Sequence, residues 1–155
     1  MDTAYIPTPL GIVTLIGDEE GISALFISDN GMVSTTISAP LQEAVFQLQD
    51  YFEGKRTCFD LKLNPRGTDF QQEVWTALLE IPYGTTCSYL DLAKKLGRPK
   101  AVRAVASAIG KNPLWIMVPC HRVIGTDGSL TGYAGGLWRK KELLQLENPT
   151  QGSLF

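Results

Sequence analysis

The first part of the chain alternates short apolar runs with turn residues. Apolar and β-branched residues dominate positions 5–6, 11–16 and 21–27. Runs of this length between turn signals predict strands paired in antiparallel hairpins. From Pro40 the apolar spacing becomes helical, at positions 41, 45, 48 and 52, and Gly54 ends it. Strands followed by a helix predict a small α+β lobe.

A change of composition marks the end of this lobe. Phe59, Leu61 and Leu63 alternate with polar residues and predict one last short strand. The next residues, 64–68, read Asn-Pro-Arg-Gly-Thr, which is typical of a linker. We therefore expect two domains, 1–65 and 66–155.

The second domain begins with helical spacing. Apolar residues at 70, 74, 77 and 78 predict a helix that ends near Pro82. A second helix is expected from Ser88, which with Asp91 resembles a capping box, to Gly97. Pro99 suits the first position of a third helix. The predicted core face of this third helix is Val102, Val105, Ala106 and Ile109. Two short helices joined by a tight glycine-containing turn predict a helix-turn-helix.

Composition restricts the class of protein. With 155 residues, 44% of them apolar and 19% charged, the chain is expected to be a soluble globular protein. Its longest apolar runs, such as 114–118, are too short to span a membrane, and the acidic start Met1-Asp2 lacks the basic region of a signal peptide. A cytosolic protein without a membrane partner is therefore expected.

The cysteine and histidine content argues against a disulfide framework and against a metal site. Three cysteines at wide spacings favour a reducing compartment. Cys58 and Cys87 are expected to be small buried side chains. Because the only histidine, His121, is adjacent to Cys120, a four-ligand zinc site is improbable and no metal is predicted.

The net charge of −2 conceals an uneven distribution. Residues 1–54 carry eight acidic residues and no Lys or Arg, whereas residues 92–126 carry seven basic residues and no acidic residue. Such asymmetry indicates a nucleic-acid or membrane surface on the basic half. The alternative is two solvated faces of opposite sign.

The basic residues of the third predicted helix share one side of it. A helical projection places five residues together opposite the core face: Lys100, Arg103, Ala104, Ser107 and Lys111. Small residues let a helix approach a nucleic-acid groove while the flanking cations contact phosphates. Together with the helix-turn-helix, this pattern favours DNA binding over an ordinary solvated face.

Three polar side chains, Cys120, His121 and Arg122, interrupt the apolar segment 115–124. Packing gives no reason for them inside a buried run, whereas a nucleophilic thiol needs a base or a cation nearby. Adjacent residues of a strand point to opposite faces, so Cys120 and His121 can cooperate only at a bend, which Pro119 permits, or through a water. On composition alone, catalysis and a buried cysteine beside a structural histidine both stay open.

The motif Pro119-Cys120-His121-Arg122-Val123 resembles the active-site motif of the O6-alkylguanine-DNA alkyltransferases, or methylated-DNA–protein-cysteine methyltransferases. The resemblance covers residues 70–147 and includes Asn112-Pro113, Tyr133 to Leu137, Gly84-Thr85-Thr86, Ser88-Tyr89 and Arg103. It implies an α+β protein with a C-terminal, winged-helix-like helix-turn-helix alkyltransferase domain. The N-terminal lobe matches in outline the family's ribonuclease-H-like half.

The resemblance also implies a reaction. Cys120 is expected to accept the alkyl group of an O6-alkylguanine once and irreversibly, without a cofactor. Four residues are expected to assist it: His121 as a base acting through a water, Glu147 orienting His121, Asn112 tying the helix-turn-helix to the active-site turn, and Tyr89 protonating guanine N3. On the last predicted helix Glu147 lies on or beside the apolar face formed by Leu143 and Leu144, which favours partial burial.

The implied partner of this expected monomer is double-stranded DNA containing O6-alkylguanine, with O4-methylthymine as a further candidate lesion. The target nucleotide must leave the duplex, and Arg103 is expected to fill its place from the minor groove. The other expected DNA contacts are Lys100, Ala104, Ser107, Lys111 and Arg122. The expected base pocket is Trp115, Val123, Tyr133, Ala134 and Gly135, in which the bulky Trp115 should disfavour large alkyl groups such as benzyl.

Two other classes of protein are compatible with parts of this pattern. A DNA-binding module that flips damaged guanine without alkyl transfer resembles the chain, but relatives of that kind lack a cysteine at the position of Cys120. A cysteine hydrolase with a Cys-His-Glu triad would have no use for the basic helix. We therefore expect an alkyltransferase.

Overall fold

The predicted hairpins form a three-stranded antiparallel sheet in the order β1-β2-β3. In the computed structural model, which describes residues 1–150, the strands are β1 (Asp2–Thr8), β2 (Gly11–Asp18) and β3 (Gly21–Ser28). The 14-residue helix α1 (Ala39–Phe52) follows, with proline in its first turn as the sequence predicted. The helix packs on the sheet, and the core between them includes Ile6, Val13, Leu15, Leu25, Leu41 and Leu48. These elements belong to one compact unit, residues 1–66.

The predicted strand at Phe59–Leu63 is wrong. In this segment Leu63 alone forms an isolated bridge, with Ile22. The side-chain amide of Gln47 donates to the carbonyl of Asp60 at 3.0 Å and accepts from its backbone N–H at 2.9 Å. Because a buried side chain occupies the backbone groups of Asp60, this residue needs no strand partner, and pairing with β3 is confined to the backbone on either side of Leu63. Cys58 is exposed, which corrects the expectation that it would be buried.

The described residues from Gly67 to 150 form the second compact unit. It is mainly helical, with α2 (Asp69–Leu78), α3 (Tyr89–Lys95), α4 (Val102–Gly110) and α5 (Leu137–Glu147). Two short parallel strands, β4 (Cys87–Ser88) and β5 (Val123–Ile124), join distant parts of this unit. The indole N–H of Trp75 in α2 donates to the carbonyl of Ala108 in α4 at 2.8 Å, which fixes these two helices together.

The helix-turn-helix is present with shorter helices than the sequence predicted. Ser88 caps α3 as expected, since its hydroxyl accepts from the backbone N–H of Asp91 at 3.0 Å. The helix α4 begins at Val102 rather than at Pro99, because residues 98–101 close a turn with a hydrogen bond from Ala101 N–H to the carbonyl of Arg98. Its fully buried residues are Val105, Ala108 and Ile109, whereas Val102 and Ala106 are half-buried.

Of the helices in the described part of the chain, none combines the length and the apolarity that a membrane span requires. Likewise, residues 1–150 contain no group of three or more His, Cys, Asp or Glu side chains placed to hold a metal ion.

Candidate active site

Cys120 lies at the start of a 3₁₀ turn, Cys120–Arg122, between Pro119 and β5. This turn supplies the bend that the sequence required for a thiol and an imidazole at adjacent positions. Only 6% of Cys120 is exposed, and it lines a cavity of about 330 Å³. The other lining residues include Tyr89, Ala106, Asn112, Trp115, Tyr133 and Ala134. The volume lies at the lower end of the range for small-molecule sites.

The thiol of Cys120 is protonated at rest. Burial raises the pKa of Cys120 to about 11, although the side chain of Asn112 and the charge of Lys140 both act to lower it. A thiolate is the stronger nucleophile, so any reaction at Cys120 requires a nearby group that accepts its proton.

His121 is suited to accept that proton. Its Nε2 lies 2.7 Å from Oε2 of Glu147, and its side chain is fully buried. Burial lowers the pKa of His121 despite the adjacent Glu147 carboxylate, so the imidazole is neutral. Since the carboxylate can only accept, the proton of the neutral ring belongs on Nε2 and the lone pair on Nδ1. Within the described residues the buried Nδ1 has no hydrogen-bond partner.

Glu147 is held as a carboxylate by two neighbours. Burial favours its neutral form, but His121 and Arg122 outweigh this effect and hold the pKa of Glu147 well below its usual range. Arg122 donates from Nε to Oε1 at 2.7 Å and from its second terminal nitrogen to Oε2 at 3.0 Å. Glu147 is 6% exposed, in agreement with the burial expected from its position on the last helix.

The structure corrects the expectation that Arg122 contacts DNA. Its side chain is buried, and besides its two bonds to Glu147 it donates to the carbonyl of Ile81 at 2.7 Å. The guanidinium therefore balances a buried carboxylate and is not available to a phosphate.

Asn112 connects the end of α4 to the segment before Cys120. Its carbonyl oxygen accepts from the N–H of Leu114 at 2.9 Å, and its amide donates to the carbonyls of Leu114 at 3.2 Å and Val118 at 3.0 Å. Between these anchors Ile116 has a φ of 72°, a conformation that is strained for a β-branched residue. The bonds of Asn112 hold this strained segment in place and join it to the end of α4.

The expected DNA-contacting residues of the helix-turn-helix are on the surface. Arg103, Ala104, Ser107 and Lys111 are exposed along and just after α4, and Lys100 is exposed in the turn before it. The inward side of the same helix and its end contribute Ala106, Ile109 and Gly110 to the cavity. A basic outer face and a cavity wall therefore belong to one element.

The expected base-pocket residues divide into two groups. Trp115, Tyr133 and Ala134 line the cavity, and the Trp115 and Tyr133 rings lie 5.8 Å apart between centroids. Gly135 packs behind them, where an added Cβ would come within 2.9 Å of the rings of both aromatic residues. Val123 is fully buried in β5 and is not among the lining residues. The Tyr133 hydroxyl is buried without a partner in the described part of the chain, as expected of a donor that a polar ligand satisfies.

Sequence reasoning missed Lys140. This side chain is fully buried, and its ammonium donates to the carbonyls of Val123, Thr131 and Gly132. It also lies 5.9 Å from the centroid of the Tyr89 ring. The one available signal was the run Arg139-Lys140-Lys141 at the start of a helix, where positive charge is unfavourable.

Comparisons with known proteins cover both units. The family described as "6-O-methylguanine DNA methyltransferase, ribonuclease-like domain" matches residues 1–65, and its "DNA binding domain" matches residues 69–149. A methylated-DNA–protein-cysteine methyltransferase of Methanosarcina barkeri is 49% identical over 150 residues, which cover 92% of this chain and 94% of that relative.

Solved structures similar to this chain belong to proteins of the same kind. The crystal structure of the O6-methylguanine methyltransferase of Mycobacterium tuberculosis gives a TM-score of 0.85 at 47% identity and covers 95% of this chain and 92% of that one. The OGT protein of the same organism in complex with DNA gives 0.84 at 48% identity, covering 94% and 91%. These matches confirm the predicted fold class and the family resemblance. The chain belongs to the 6-O-methylguanine DNA methyltransferase family.

Proposed function

We propose that this protein repairs double-stranded DNA by moving the alkyl group of an O6-alkylguanine onto its own Cys120. The observation that carries the proposal is the pairing of a buried thiol at a cavity with a neutral, buried imidazole next to it in sequence. A thiol of high pKa needs a proton acceptor. Nδ1 of His121 has no partner among residues 1–150, while Glu147 holds the other ring nitrogen. Membership of the family supports the same chemistry.

The reaction is a single displacement. The Sγ atom of Cys120 attacks the alkyl carbon, a sulfur–carbon bond forms, and the bond from that carbon to O6 breaks with its electron pair going to the base. The thiol proton passes through a water to Nδ1 of His121, and the Glu147 carboxylate stabilises the resulting imidazolium. A proton from Tyr89, which lines the cavity, reaches guanine N3 and makes guanine the better leaving group.

The buried position of Cys120 supports rotation of the target nucleotide out of the duplex. A thiol that is 6% exposed cannot reach a base that remains stacked in DNA. In the proposed complex α4 enters the minor groove, Ala104 and Ser107 allow close approach, and Arg103 fills the vacated place in the stack. Lys100 and Lys111 contact phosphates.

The proposed reaction occurs once per molecule. Regeneration would require the new alkyl–sulfur bond to break with the Cys120 thiolate as a poor leaving group, and among the described residues that line the cavity Cys120 is the only thiol. We further propose that the protein acts as a cytoplasmic monomer without a cofactor, that O4-methylthymine is a weaker substrate, and that Trp115 disfavours benzyl-sized groups because it lies against Tyr133 in the cavity wall.

A labelling experiment tests the transfer. Duplex DNA with a labelled O6-methyl group is incubated with the protein, which is then digested and mapped by mass spectrometry. We expect the label on the Cys120 peptide, at no more than one per chain, and no transfer by Cys120→Ser. The matched control is Cys87→Ser, a half-buried cysteine outside the lining residues, which should transfer normally. Label that stays in the DNA while binding is intact would support a module that recognises damage without repairing it.

A further inference from the structure

A glycine-rich loop forms one wall of the cavity. It runs over residues 125–136, between β5 and α5, and contributes Gly132, Tyr133 and Ala134 to the lining. Five of its twelve residues are glycine: 125, 128, 132, 135 and 136. Glycine lowers the intrinsic rigidity of a segment, so a wall built from this loop requires external contacts to hold one shape.

Two adjacent side chains of α5 supply those contacts. The Lys140 ammonium donates to the carbonyls of Thr131 at 2.6 Å and Gly132 at 3.3 Å, just before Tyr133. Arg139 donates to the carbonyl of Gly135 at 3.0 Å, just after Ala134. The loop is therefore held on both sides of the two residues that line the cavity.

Lys140 also links the loop to β5, the strand that follows the 3₁₀ turn Cys120–Arg122, which is called the reactive turn below. Its third bond, at 2.7 Å, goes to the carbonyl of Val123, the first residue of β5 and the residue directly after Cys120–Arg122. One ammonium group therefore fixes the cavity wall relative to the segment that carries the nucleophile.

The positions of these cations are unfavourable for the helix itself. Arg139 and Lys140 lie in the first turn of α5, whose N-cap Gly136 offers no side-chain cap and whose first turn contains no acidic residue. Positive charge at a helix N-terminus is unfavourable, because it opposes the helix dipole. Lys140 is also fully buried with no carboxylate partner in the described part of the chain, and burial lowers the pKa of Lys140 to about 8. Helix stability and solvation therefore do not explain these two residues, whereas their bonds to the loop do.

We propose that Arg139 and Lys140 are positioning residues for alkyl transfer. Their hydrogen bonds fix loop 125–136, so that Tyr133 and Ala134 keep the cavity in the shape that the reaction requires. This inference rests on the proposed function. A loosened wall should allow the base to bind in unproductive orientations, and a displacement of about 1 Å can cost up to about 100-fold in rate. Binding of duplex DNA should change little, because the exposed residues of α4 carry it.

The test compares three identical substitutions along one helix turn: Arg139→Met, Lys140→Met and the control Lys141→Met, which is half-exposed. Three quantities are measured for each: affinity for duplex DNA, the single-turnover transfer rate at saturating substrate, and hydrogen exchange of residues 125–136. We expect the first two variants to lose about 10- to 100-fold in rate, with faster exchange in the loop and unchanged DNA affinity. Lys141→Met should match the wild type.

Each contrary result has a separate meaning. Equal transfer rates for all three variants, with the hydrogen exchange of the wild type, would overturn the positioning role of Arg139 and Lys140 and leave the proposed function intact. Absence of transfer by the wild type would instead refute the proposed function. If Lys140→Met does not fold, Arg139→Met decides the question. A rate loss confined to Lys140→Met, matched by a rise in the pKa of Cys120 measured by thiolate absorbance, would mean that Lys140 acts on the thiol and not on the loop.

Discussion

The two units of this protein treat buried polar side chains differently. In residues 1–66 the buried polar residues are Thr14 and Gln47, and the rest of the core is apolar. In residues 67–150 six polar or charged side chains are buried, and all but the first carry an ionisable or permanently charged group: Asn112, His121, Arg122, Arg139, Lys140 and Glu147. All six contact the reactive turn or the cavity wall, or bond to residues that do.

Burial of charge is costly, so its distribution is informative. A buried ion pair is often no more stabilising than apolar residues of the same volume, although loss of one partner is strongly destabilising. The first unit has an almost entirely apolar core and therefore folds without the desolvation cost of buried charges. The second unit retains six costly side chains in 84 described residues, and their concentration around Cys120 indicates that they serve chemistry and not folding alone. The following experiments test this contrast.

The largest effect is expected for Glu147→Gln. The change leaves Arg122 buried without its counter-charge and removes the group that stabilises a protonated His121. We expect a loss of about 3–5 kcal/mol in the free energy of unfolding and a fall of about 100-fold or more in the rate of transfer. Urea denaturation and single-turnover transfer measure the two quantities. The matched control is Glu142→Gln, an exposed residue of the same helix; if both variants behave alike, the buried network has no special role.

An apolar core residue of the first unit should separate stability from activity. Leu25 is fully buried in β3, and Leu25→Ala should cost about 2–5 kcal/mol in the free energy of unfolding. The transfer rate of the folded protein, measured well below its melting temperature, should equal that of the wild type. Val33→Ala, at an exposed position of the same unit, controls for the loss of apolar volume. A rate loss as large as that of Glu147→Gln would remove the distinction between the units.

Two buried amides sharpen the comparison. Gln47 holds the backbone of Asp60 in the first unit, and Asn112 holds Leu114 and Val118 in the second. Replacement of either by Ala leaves buried backbone groups unsatisfied and should cost about 1–3 kcal/mol. Only Asn112→Ala should also raise the pKa of Cys120, because the Asn112 side chain acts to lower it. Thiolate absorbance during an alkaline titration checks this; an equal thiol pKa in both variants would contradict it.

Sequence patterns predicted the elements whose residues follow a regular period. The strands β1 to β3 and the helix α1 match the alternation and the helical spacing because each buries one face in a single apolar core. The motif around Cys120 indicated the candidate site because its resemblance extends over several separated segments. The spacing after Leu143 also predicted the burial of Glu147 on α5, which the structure shows.

The errors arose where tertiary contacts override local pattern. Phe59–Leu63 alternates like a strand, but the side-chain amide of Gln47 takes both backbone hydrogen bonds of Asp60, and only Leu63 forms a bridge to β3. From the sequence alone Arg122 and Lys140 resemble solvated cations. Only the fold shows that Arg122 is bonded to a carboxylate and Lys140 to three backbone carbonyls. No local pattern reports such partners, because they are distant in the sequence: Val123 precedes Lys140 by 17 residues, and Ile81 precedes Arg122 by 41.

The smallest effect concerns pH and rests on the one histidine of the chain. The pKa of His121 is lowered from 6.5, so below that pH the unfolded chain binds a proton that the folded chain does not. The stability from this group is therefore fully present above about pH 6.5 and falls as the pH drops towards its folded pKa, by at most about 1.4 kcal/mol per pH unit. The first unit contains no histidine and cannot contribute this term. A single imidazole resonance in the NMR spectrum should show no titration near pH 6.5, and His121→Gln should remove the corresponding slope from urea midpoints between pH 7.5 and 5.5. A midpoint at or above 6.5 would mean that Glu147 outweighs burial, and that His121 is already charged when Cys120 needs its proton removed.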